Sequence, residues 1–393
     1  GLIINMNKSF SNITFLILII CILVGILKYP TLSLDGASDG LLTWFNIVVP
    51  SLLPFFIVSE ILIGIGFIDL IGKLLEPLMK PIFNLPGVGA FPFSMSIVSG
   101  YPMGVKIVSN LRQNKSITKT EAERMVCSSS TSGPLFMLGA VSVGMLNNPS
   151  LAPLIIYPHY LGAITLGFVF RFYKKNEDIS TSNKIPTNKI NYSIGSVLAN
   201  SVKKSINTIA LIGGFMIFYS VLTELLFASK IFNLTIDSIN NIIPVKINID
   251  ALKGFIAGLL EITTGCKKVS MANINLIYKI IIINFLIGWS GFSIHSQALS
   301  FISSTDINSA LYLFAKFLHG VFSCLYTFLL YELKYKNIIK PSFLPSLHTT
   351  ESMYFLEWPI LFINSIKLAI LITIYMLICS LIMLLISCFT SSE

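Results

Sequence analysis

The segment Ser99–Ser109 places helix-breaking residues and a lysine inside a strongly apolar part of the chain. Its sequence, SGYPMGVKIVS, contains two glycines and a proline beside Lys106. A similar segment, Glu261–Ser270, repeats the spacing Gly-x-Lys-x-x-Ser. Hydrocarbon offers freed backbone groups no hydrogen-bonding partner, so such breaks occur at membrane depth only where protein or a water-filled cavity surrounds them. The two segments therefore predict a polar site built from two related halves.

The composition assigns the chain to the membrane proteins. Of its 393 residues, 54% are hydrophobic and 11% are charged, and the mean hydropathy is +0.80. A soluble domain carries about 25% charged residues. The formal charge of +9 lies mostly in connecting loops, as the positive-inside rule predicts, so it gives no evidence for nucleic-acid binding. The six cysteines form no CxxC or Cys/His cluster, and neither disulfides nor structural zinc are expected.

We predict an all-α polytopic membrane protein with about eight transmembrane helices and two re-entrant hairpins, in an inverted repeat with broken helices. The hairpins are predicted at 87–111 and 251–270, and surface-lying helices at 69–83 and 231–249. The first apolar run is predicted to be a retained helix. The expected division is an N-terminal transmembrane helix and loop (1–40), a first transport repeat (41–170), a basic cytoplasmic linker (171–205), a second transport repeat (206–333), and a polar loop with a C-terminal transmembrane helix (334–393).

Each predicted repeat has the same order of features: a span that carries a glutamate, a hairpin, and a span broken at Ser-Gly. The glutamates are Glu60 and Glu224, and the breaks fall at Gly133 and Gly291. Counting crossings from a cytoplasmic N-terminus gives the two repeats opposite topologies, as in many secondary transporters. The same count places the lysines of 334–340 outside, against the positive-inside rule, so the absolute topology of the second half stays open.

Polar residues at the breaks are the candidate substrate-binding groups. The first broken span has five consecutive hydroxyl residues before Gly-Pro, and the second has residues suited to a planar polar ligand. An alternative role for the hydroxyls is bonding back to their own helix carbonyls, and for the lysines it is snorkelling to the interface. The candidates are Ser99, Gly100, Tyr101, Gly104, Lys106, Ser128, Ser129, Ser130, Thr131, Ser132, Gly133, Thr263, Thr264, Gly265, Lys267, Ser290, Gly291, Ser293, His295 and Gln297.

Acidic residues within apolar segments are candidates for binding a coupling proton or Na⁺. Glu60, Glu224 and Glu261 are costly in hydrocarbon unless they face a cavity or a partner, such as a repeat lysine. His159 and His319 lie in ordinary spans and are interpreted as packing or hydrogen-bonding residues.

Two common signatures of nucleotide sites and metalloproteases are absent from the sequence. The sequence contains neither G-x-x-x-x-G-K-[ST] nor H-E-x-x-H, and the Gly-x-Lys-x-x-Ser element lacks the glycine spacing of a phosphate loop. We therefore predict no catalytic residue, no cofactor and no metal site.

At these residues the chain resembles the YlbJ-type sporulation integral membrane proteins of spore-forming Firmicutes, also called SpoVV. The resemblance extends over most of the chain and is strongest in SGYPMGVKIVSNLR (Ser99–Arg112), TKTEAER (Thr118–Arg124) and SSSTSGPLF (Ser128–Phe136). The wider group is the nucleoside-recognition or Gate set, which is similar to concentrative nucleoside transporters and to the membrane part of ferrous iron transporters. The resemblance implies expression in the mother cell, residence in the outer forespore membrane and movement of dipicolinic acid toward the spore.

The function predicted is transport of a small organic anion by alternating access, with dipicolinic acid as the substrate that the resemblance implies. A planar dicarboxylate would suit helix N-termini, hydroxyls and two lysines. Ion-coupled nucleoside or nucleobase transport is one alternative, and a membrane scaffold for spore-envelope assembly is another. The expected partners are the anionic substrate and the lipid bilayer of the bacterial inner membrane, without nucleic acid. Proton or sodium coupling and a homo-oligomer stay open.

Overall fold

The computed structural model describes residues 2–65, 77–134, 136–174, 194–229, 232, 234 and 248–335. Every regular element in this part of the chain is a helix, which confirms the predicted all-α fold. Among these residues, four helices are long and apolar enough to cross a membrane, and up to six spans result if each bent helix pair counts as one. The predicted total of about eight included a C-terminal helix within 334–393, nearly all of which lies outside the described residues, as do most of 69–83, 231–249 and the linker.

The N-terminal region contains a second helix where a loop was predicted. Helices α1 (Leu2–Lys28) and α2 (Pro30–Thr43) meet at a bend of 104°. Pro30 begins α2, where its missing N–H needs no helical partner. Helix α2 packs along the later helix α9, and a Cβ on Gly40 would lie 2.9 Å from Ile217 Cα. The prediction of a loop at the end of 1–40 is therefore wrong. The segment is helical instead, because the glycines of α2 allow it to pack closely on α9.

The first repeat follows the predicted order of elements. After a π-helical turn (Trp44–Val48), α3 (Val49–Gly64) carries Glu60. Helix α4 (Pro77–Phe83) leads into the first hairpin, which consists of α5 (Ala90–Ser99) and α6 (Met103–Gln113). The first broken span consists of α7 (Lys119–Ser128) and a π-helical segment (Phe136–Met145), and α8 (Ala152–Phe170) completes the repeat.

The second repeat contains the same kinds of element in the same order. Helix α9 (Ile194–Ala228) carries Glu224. The second hairpin consists of α10 (Ile249–Leu260) and α11 (Ile262–Met271). The second broken span consists of α12 (Leu276–Trp289) and α13 (Gly291–Ile302), and α14 (Ser309–Leu330) closes the repeat. Both hairpins and both broken spans thus lie where the glycine and proline pattern predicted them.

Local sequence signals account for several helix boundaries. A capping box starts α7, since the Thr118 hydroxyl accepts from the Glu121 N–H while the Glu121 carboxylate accepts from the Thr118 N–H. The Asn308 side chain caps α14 in a similar way by accepting from the N–H groups of Ala310 and Leu311. At the end of α5, Gly100 has a φ of 78°, a left-handed value that glycine adopts without strain.

Two hydrophobic clusters join the repeats into one core. In the first cluster, Met103 of the first hairpin and Met125 of α7 pack with Ile209 of α9. In the second cluster, Ile155 of α8 packs with Val269 of the second hairpin. Many large apolar side chains of α1 and α14 are exposed, as expected where lipid surrounds the protein. The helix breaks therefore lie inside a core to which both repeats contribute.

Candidate functional site

The tip of the first hairpin lies against the break in the first broken span. A Cβ on Gly100 would lie 2.6 Å from the backbone nitrogen of Gly133. A Cβ on Gly104 would lie 2.0 Å from the Ser129 carbonyl oxygen. Real Cβ atoms do not approach backbone atoms so closely, so glycine is required at both positions. The hairpin therefore contacts the break through backbone atoms.

The second hairpin contacts the second break in the same manner. Ser290 and Gly291 have φ values of 75° and 78°, which separate α12 from α13. A Cβ on Gly291 would lie 3.0 Å from the Gly258 carbonyl oxygen of the hairpin. Within the hairpin, a Cβ on Gly265 would lie 2.1 Å from Gly258 Cα. Each hairpin is thus packed on the broken span of its own repeat.

The hydroxyl run of the first break is buried, and its groups bind several different elements. Ser128 bonds back to the Met125 carbonyl of its own helix at 3.4 Å, as the alternative interpretation proposed. Thr131 donates to the Ser96 hydroxyl of the first hairpin at 3.1 Å. The Ser130 hydroxyl lies 3.4 Å from the Tyr312 hydroxyl of α14. Only part of the run therefore points away from its own helix.

Two residues of α8 hold the backbone of this break. The Ser132 N–H donates to His159 Nε2 at 2.8 Å, and the Tyr160 hydroxyl donates to the Ser132 carbonyl at 3.2 Å. These bonds satisfy backbone groups that the helix break leaves free. His159 thus has the hydrogen-bonding role predicted for it, and it supports the predicted site directly.

A fully buried lysine, Lys316 of α14, lies where the first hairpin tip meets the first break. Its Nζ donates to the Ser130 carbonyl at 2.8 Å and to the Tyr101 hydroxyl at 3.1 Å, and it lies 3.2 Å from His319 Nδ1. The Nζ atom also lies 4.7 Å from the centre of the Tyr101 ring. The sequence interpretation missed this residue, although Lys316 and His319 form a Lys-x-x-His pair in an otherwise uncharged apolar helix.

His319 connects Lys316 to α8. Its Nε2 lies 2.8 Å from the His159 carbonyl oxygen, which can only accept a hydrogen bond. Nε2 must therefore carry the hydrogen, and Nδ1 presents its lone pair to Lys316. The rings of His319 and His159 are stacked with centroids 4.4 Å apart. The histidine pair thus fixes the position of the buried lysine.

Two tyrosines near Lys316, Tyr101 and Tyr312, contact residues of the second broken span. The Tyr101 hydroxyl donates to the Ile287 carbonyl of α12 at 2.8 Å. The Tyr312 ring lies 5.8 Å from the His295 ring, measured between centroids. His295 is buried, and neither of its ring nitrogens has a hydrogen-bond partner among the described residues, nor does the Ser293 hydroxyl. Gln297 and Ser290 are buried nearby on the same broken span.

The two repeat lysines lie in other surroundings. Lys106 forms an ion pair with Glu60 and donates to the Thr208 hydroxyl at 3.2 Å, so it has the glutamate partner that the sequence analysis considered. Lys267 is exposed. Its neighbour Lys268 pairs with Glu224 at 3.6 Å instead. The glutamate–lysine contact therefore recurs in the second repeat with a shift of one residue.

Glu261 caps the second half of its own hairpin. Its carboxylate accepts from the N–H groups of Thr263 at 3.0 Å and Thr264 at 2.7 Å. This internal anion occupies the N-terminal donors of α11 that were predicted to face a ligand. A role for Glu261, Glu60 or Glu224 in ion coupling stays a prediction.

Of the predicted binding residues, Ser130 and His295 thus lie next to Tyr312, and Tyr101 and Ser130 contact Lys316. Helical hairpins packed on broken helices, with a buried polar cluster where they meet, define a transporter-like class of integral membrane protein. A protein family described as nucleoside recognition, Gate, matches residues 45–164. No solved structure matches the chain.

The comparison with curated proteins defines the family. The chain is 36% identical over 328 residues to the sporulation integral membrane protein YlbJ of Bacillus subtilis (strain 168), covering 78% of this chain and 79% of that protein. The chain belongs to the YlbJ family of sporulation integral membrane proteins. The family resemblance and the membrane location expected from the sequence are therefore confirmed.

Proposed function

We propose that the protein transports a small organic anion by alternating access, and that this anion is dipicolinic acid crossing the outer forespore membrane. The observation that carries the proposal is the meeting of the first hairpin tip, the first break and the second break at a buried polar cluster. The cluster offers hydroxyl, imidazole and ammonium groups, which suit a carboxylate. Its tyrosine and histidine rings suit a planar ligand.

The hairpins supply elements that can move during transport. Each hairpin contacts its broken span through glycines and backbone atoms, as at Gly100 with Gly133 and at Gly258 with Gly291. Such a contact can separate without withdrawing large side chains, whereas Tyr101 must leave Lys316 and the Ile287 carbonyl when the first hairpin moves. Movement of one hairpin would open the cluster toward one side of the membrane, and movement of the other would open it toward the opposite side.

Nucleoside or nucleobase transport is the second candidate function. It is favoured by the match of residues 45–164 to the family described as nucleoside recognition. The rings of Tyr101 and Tyr312 could stack on a base as well as on a pyridine ring. The charge of the preferred substrate distinguishes the two functions, because nucleosides are neutral and dipicolinate is a dianion.

We also propose that the site catalyses no covalent step. Gly36, Ser38 and Gly40 have the G-x-S-x-G spacing of serine hydrolases. They lie inside helix α2, whereas that motif works on a strained turn between a strand and a helix.

A purely structural scaffold is disfavoured, since it would not require polar helix breaks within its core.

Uptake into liposomes tests the proposal. Purified protein would be reconstituted and supplied with labelled dipicolinate or labelled uridine, with and without a proton or sodium gradient. We expect saturable dipicolinate uptake above protein-free liposomes and no uridine uptake. Uptake of uridine alone would support the nucleoside function. Failure to move dipicolinate under every gradient would reject the proposal.

A further inference from the structure

We propose that Lys316 binds a carboxylate of the transported anion and is the residue that makes the site selective for negative charge. This inference rests on the proposed function and assigns a substrate contact within it. It is carried by the acceptor groups around Nζ of the fully buried Lys316 and by the absence of a carboxylate partner in the described part of the chain.

The three partners of Lys316 are placed as acceptors for an ammonium group. The Tyr101 hydroxyl uses its hydrogen on the Ile287 carbonyl and can offer Lys316 only an oxygen lone pair. His319 uses its Nε2 hydrogen on the His159 carbonyl, which leaves Nδ1 as an acceptor. The third partner is the Ser130 carbonyl oxygen. Three acceptors match the three hydrogens that the charged form of lysine carries on Nζ.

This positive charge has no negative partner within the residues that the structure describes. Glu60, Glu123, Glu224 and Asp306 form ion pairs there with other cations, and none of these pairs includes Lys316. Lys106 provides the contrast, because its ammonium pairs with Glu60. A buried charge without a counter-ion is costly. An anionic ligand would supply the missing charge.

The surroundings of Lys316 suit a planar aromatic dicarboxylate. One carboxylate would replace the Tyr101 hydroxyl on Nζ, while the ligand ring could lie against Tyr101 or Tyr312. His295 lies beside Tyr312 and is 1% exposed, and its two ring nitrogens lack partners among the described residues. A buried imidazole in that state is poised to bond a ligand, which gives the second carboxylate a partner.

Binding at Lys316 would also act on the first hairpin. Tyr101 lies at the hairpin tip, and its hydroxyl joins Lys316 to the Ile287 carbonyl of the second broken span. A carboxylate that takes the place of this hydroxyl releases the tip from Lys316. Substrate occupancy and hairpin position are thereby coupled through one hydrogen bond.

A pair of ligands that differ only in charge tests the inference. Binding of pyridine-2,6-dicarboxylate and of neutral pyridine-2,6-dicarboxamide would be measured by calorimetry on the full chain in nanodiscs. We expect Lys316→Gln to weaken dicarboxylate binding by at least about tenfold, since hydrogen bonds to charged groups contribute about that much. Binding of the dicarboxamide should stay within about threefold of wild type. Lys203→Gln, which removes an exposed lysine of α9, should change neither value.

The outcomes separate this inference from the proposed function. Unchanged dicarboxylate binding by Lys316→Gln, or a wild-type protein that does not prefer the dicarboxylate, would overturn the role of Lys316. Wild-type uptake of dipicolinate into liposomes would then leave the transport function standing. Binding that depends on Lys316 without uptake would instead support the inference and reject transport. If Lys316→Gln aggregates, Lys316→Met takes its place: loss of the preference for the dicarboxylate would support the role of Lys316, and a kept preference would overturn it.

Discussion

Glu60 is a single residue whose ion pair holds two helical elements together. Its carboxylate pairs with Lys106 of the first hairpin and lies 3.8 Å from the Lys204 ammonium of α9. The side chains of Glu60 and Lys106 are 4% and 12% exposed, so water can replace neither partner. Lys204 is largely exposed and contributes little to the pairing. The Glu60–Lys106 pair therefore anchors the first hairpin to α3.

Replacing Glu60 by alanine should destabilise the protein more than replacing the whole pair. Glu60→Ala leaves the Lys106 ammonium buried without its main partner, which costs roughly 3 kcal/mol in comparable cases. The double variant Glu60→Ala with Lys106→Met removes both charges and should recover most of that loss. Thermal unfolding in detergent would measure both changes. Additive losses in the double variant would show that the pair does not anchor the hairpin.

The lysines of the apolar segments also show where residue-level prediction from sequence ends. The repeat pointed to Lys106 and Lys267, because their spacing from glycine is the same. Spacing does not reveal which acid pairs with a lysine, and Lys106 pairs with Glu60 of α3, which is far from it in sequence. Lys316 has no repeat counterpart to mark it, and its burial follows from packing of α14 against α7 and α8. Only the lysine in an apolar helix was available as a signal.

At the scale of elements, the contact between the first hairpin and the first break depends on Gly104. A methyl group on this residue would lie 2.0 Å from the Ser129 carbonyl oxygen. Gly104→Ala should push the hairpin from the break, lower the unfolding temperature and reduce dipicolinate uptake at least about tenfold, since overpacking costs about 1–3 kcal/mol. Gly214→Ala of α9 is the control, because no other described residue outside its own helical turn lies within 4 Å of its Cβ position. Equal uptake by both variants would contradict the packing argument.

A second element contact depends on pH. Arg112, at the end of α6, donates from Nε and Nη2 to the Asp306 carboxylate at 2.8 Å each, and Asp306 lies between α13 and α14. The Arg112 hydrogen bonds hold the Asp306 pKa below its usual value. A depressed folded-state pKa gives a stabilising contribution that is complete above about pH 4 and lost as pH falls through the folded-state pKa.

Removing the Asp306 charge should therefore abolish this acid sensitivity. Half of the Asp306 side chain is exposed, so its contribution at pH 7 should be below about 1 kcal/mol. Asp306→Asn should unfold slightly earlier than wild type at pH 7, with the difference narrowing below about pH 4. Unfolding temperatures over a pH series would measure it. A constant difference across the series would refute the charge-based explanation.

Helix breaks were predictable because glycine, proline and consecutive hydroxyls disturb the backbone locally. Both hairpins, both broken spans and the order of elements in each repeat follow from those residues. Helix α2 was not predictable in the same way, since its glycines and aspartates are typical of a loop. Close packing of Gly36 and Gly40 on α9 accounts for it instead. Tertiary contact thus overrides local propensity at that point.

At the scale of the whole molecule, the packing contact between α8 and α14 connects the repeats. Gly162 of α8 faces α14, and a Cβ there would lie 2.9 Å from His319 Cδ2 and 3.2 Å from the Ser323 hydroxyl. The same helix pair holds the His159–His319 stack that positions Lys316. The geometry of the site therefore depends on how closely the two repeats approach each other.

Increasing the distance between α8 and α14 should weaken substrate binding without changing any polar group of the site. Gly162→Val should separate α8 from α14, lower stability by about 1–3 kcal/mol through overpacking, and weaken dipicolinate binding as His319 moves from Lys316. Gly214→Val makes the same substitution on α9, where no described residue beyond its own helical turn lies within 4 Å of the Cβ position, and should bind as wild type does. Calorimetry and thermal unfolding would be compared for the two variants. Wild-type binding by Gly162→Val would contradict this expectation. It would mean that each repeat positions its own binding residues, because the distance between α8 and α14 would then have no effect on the site.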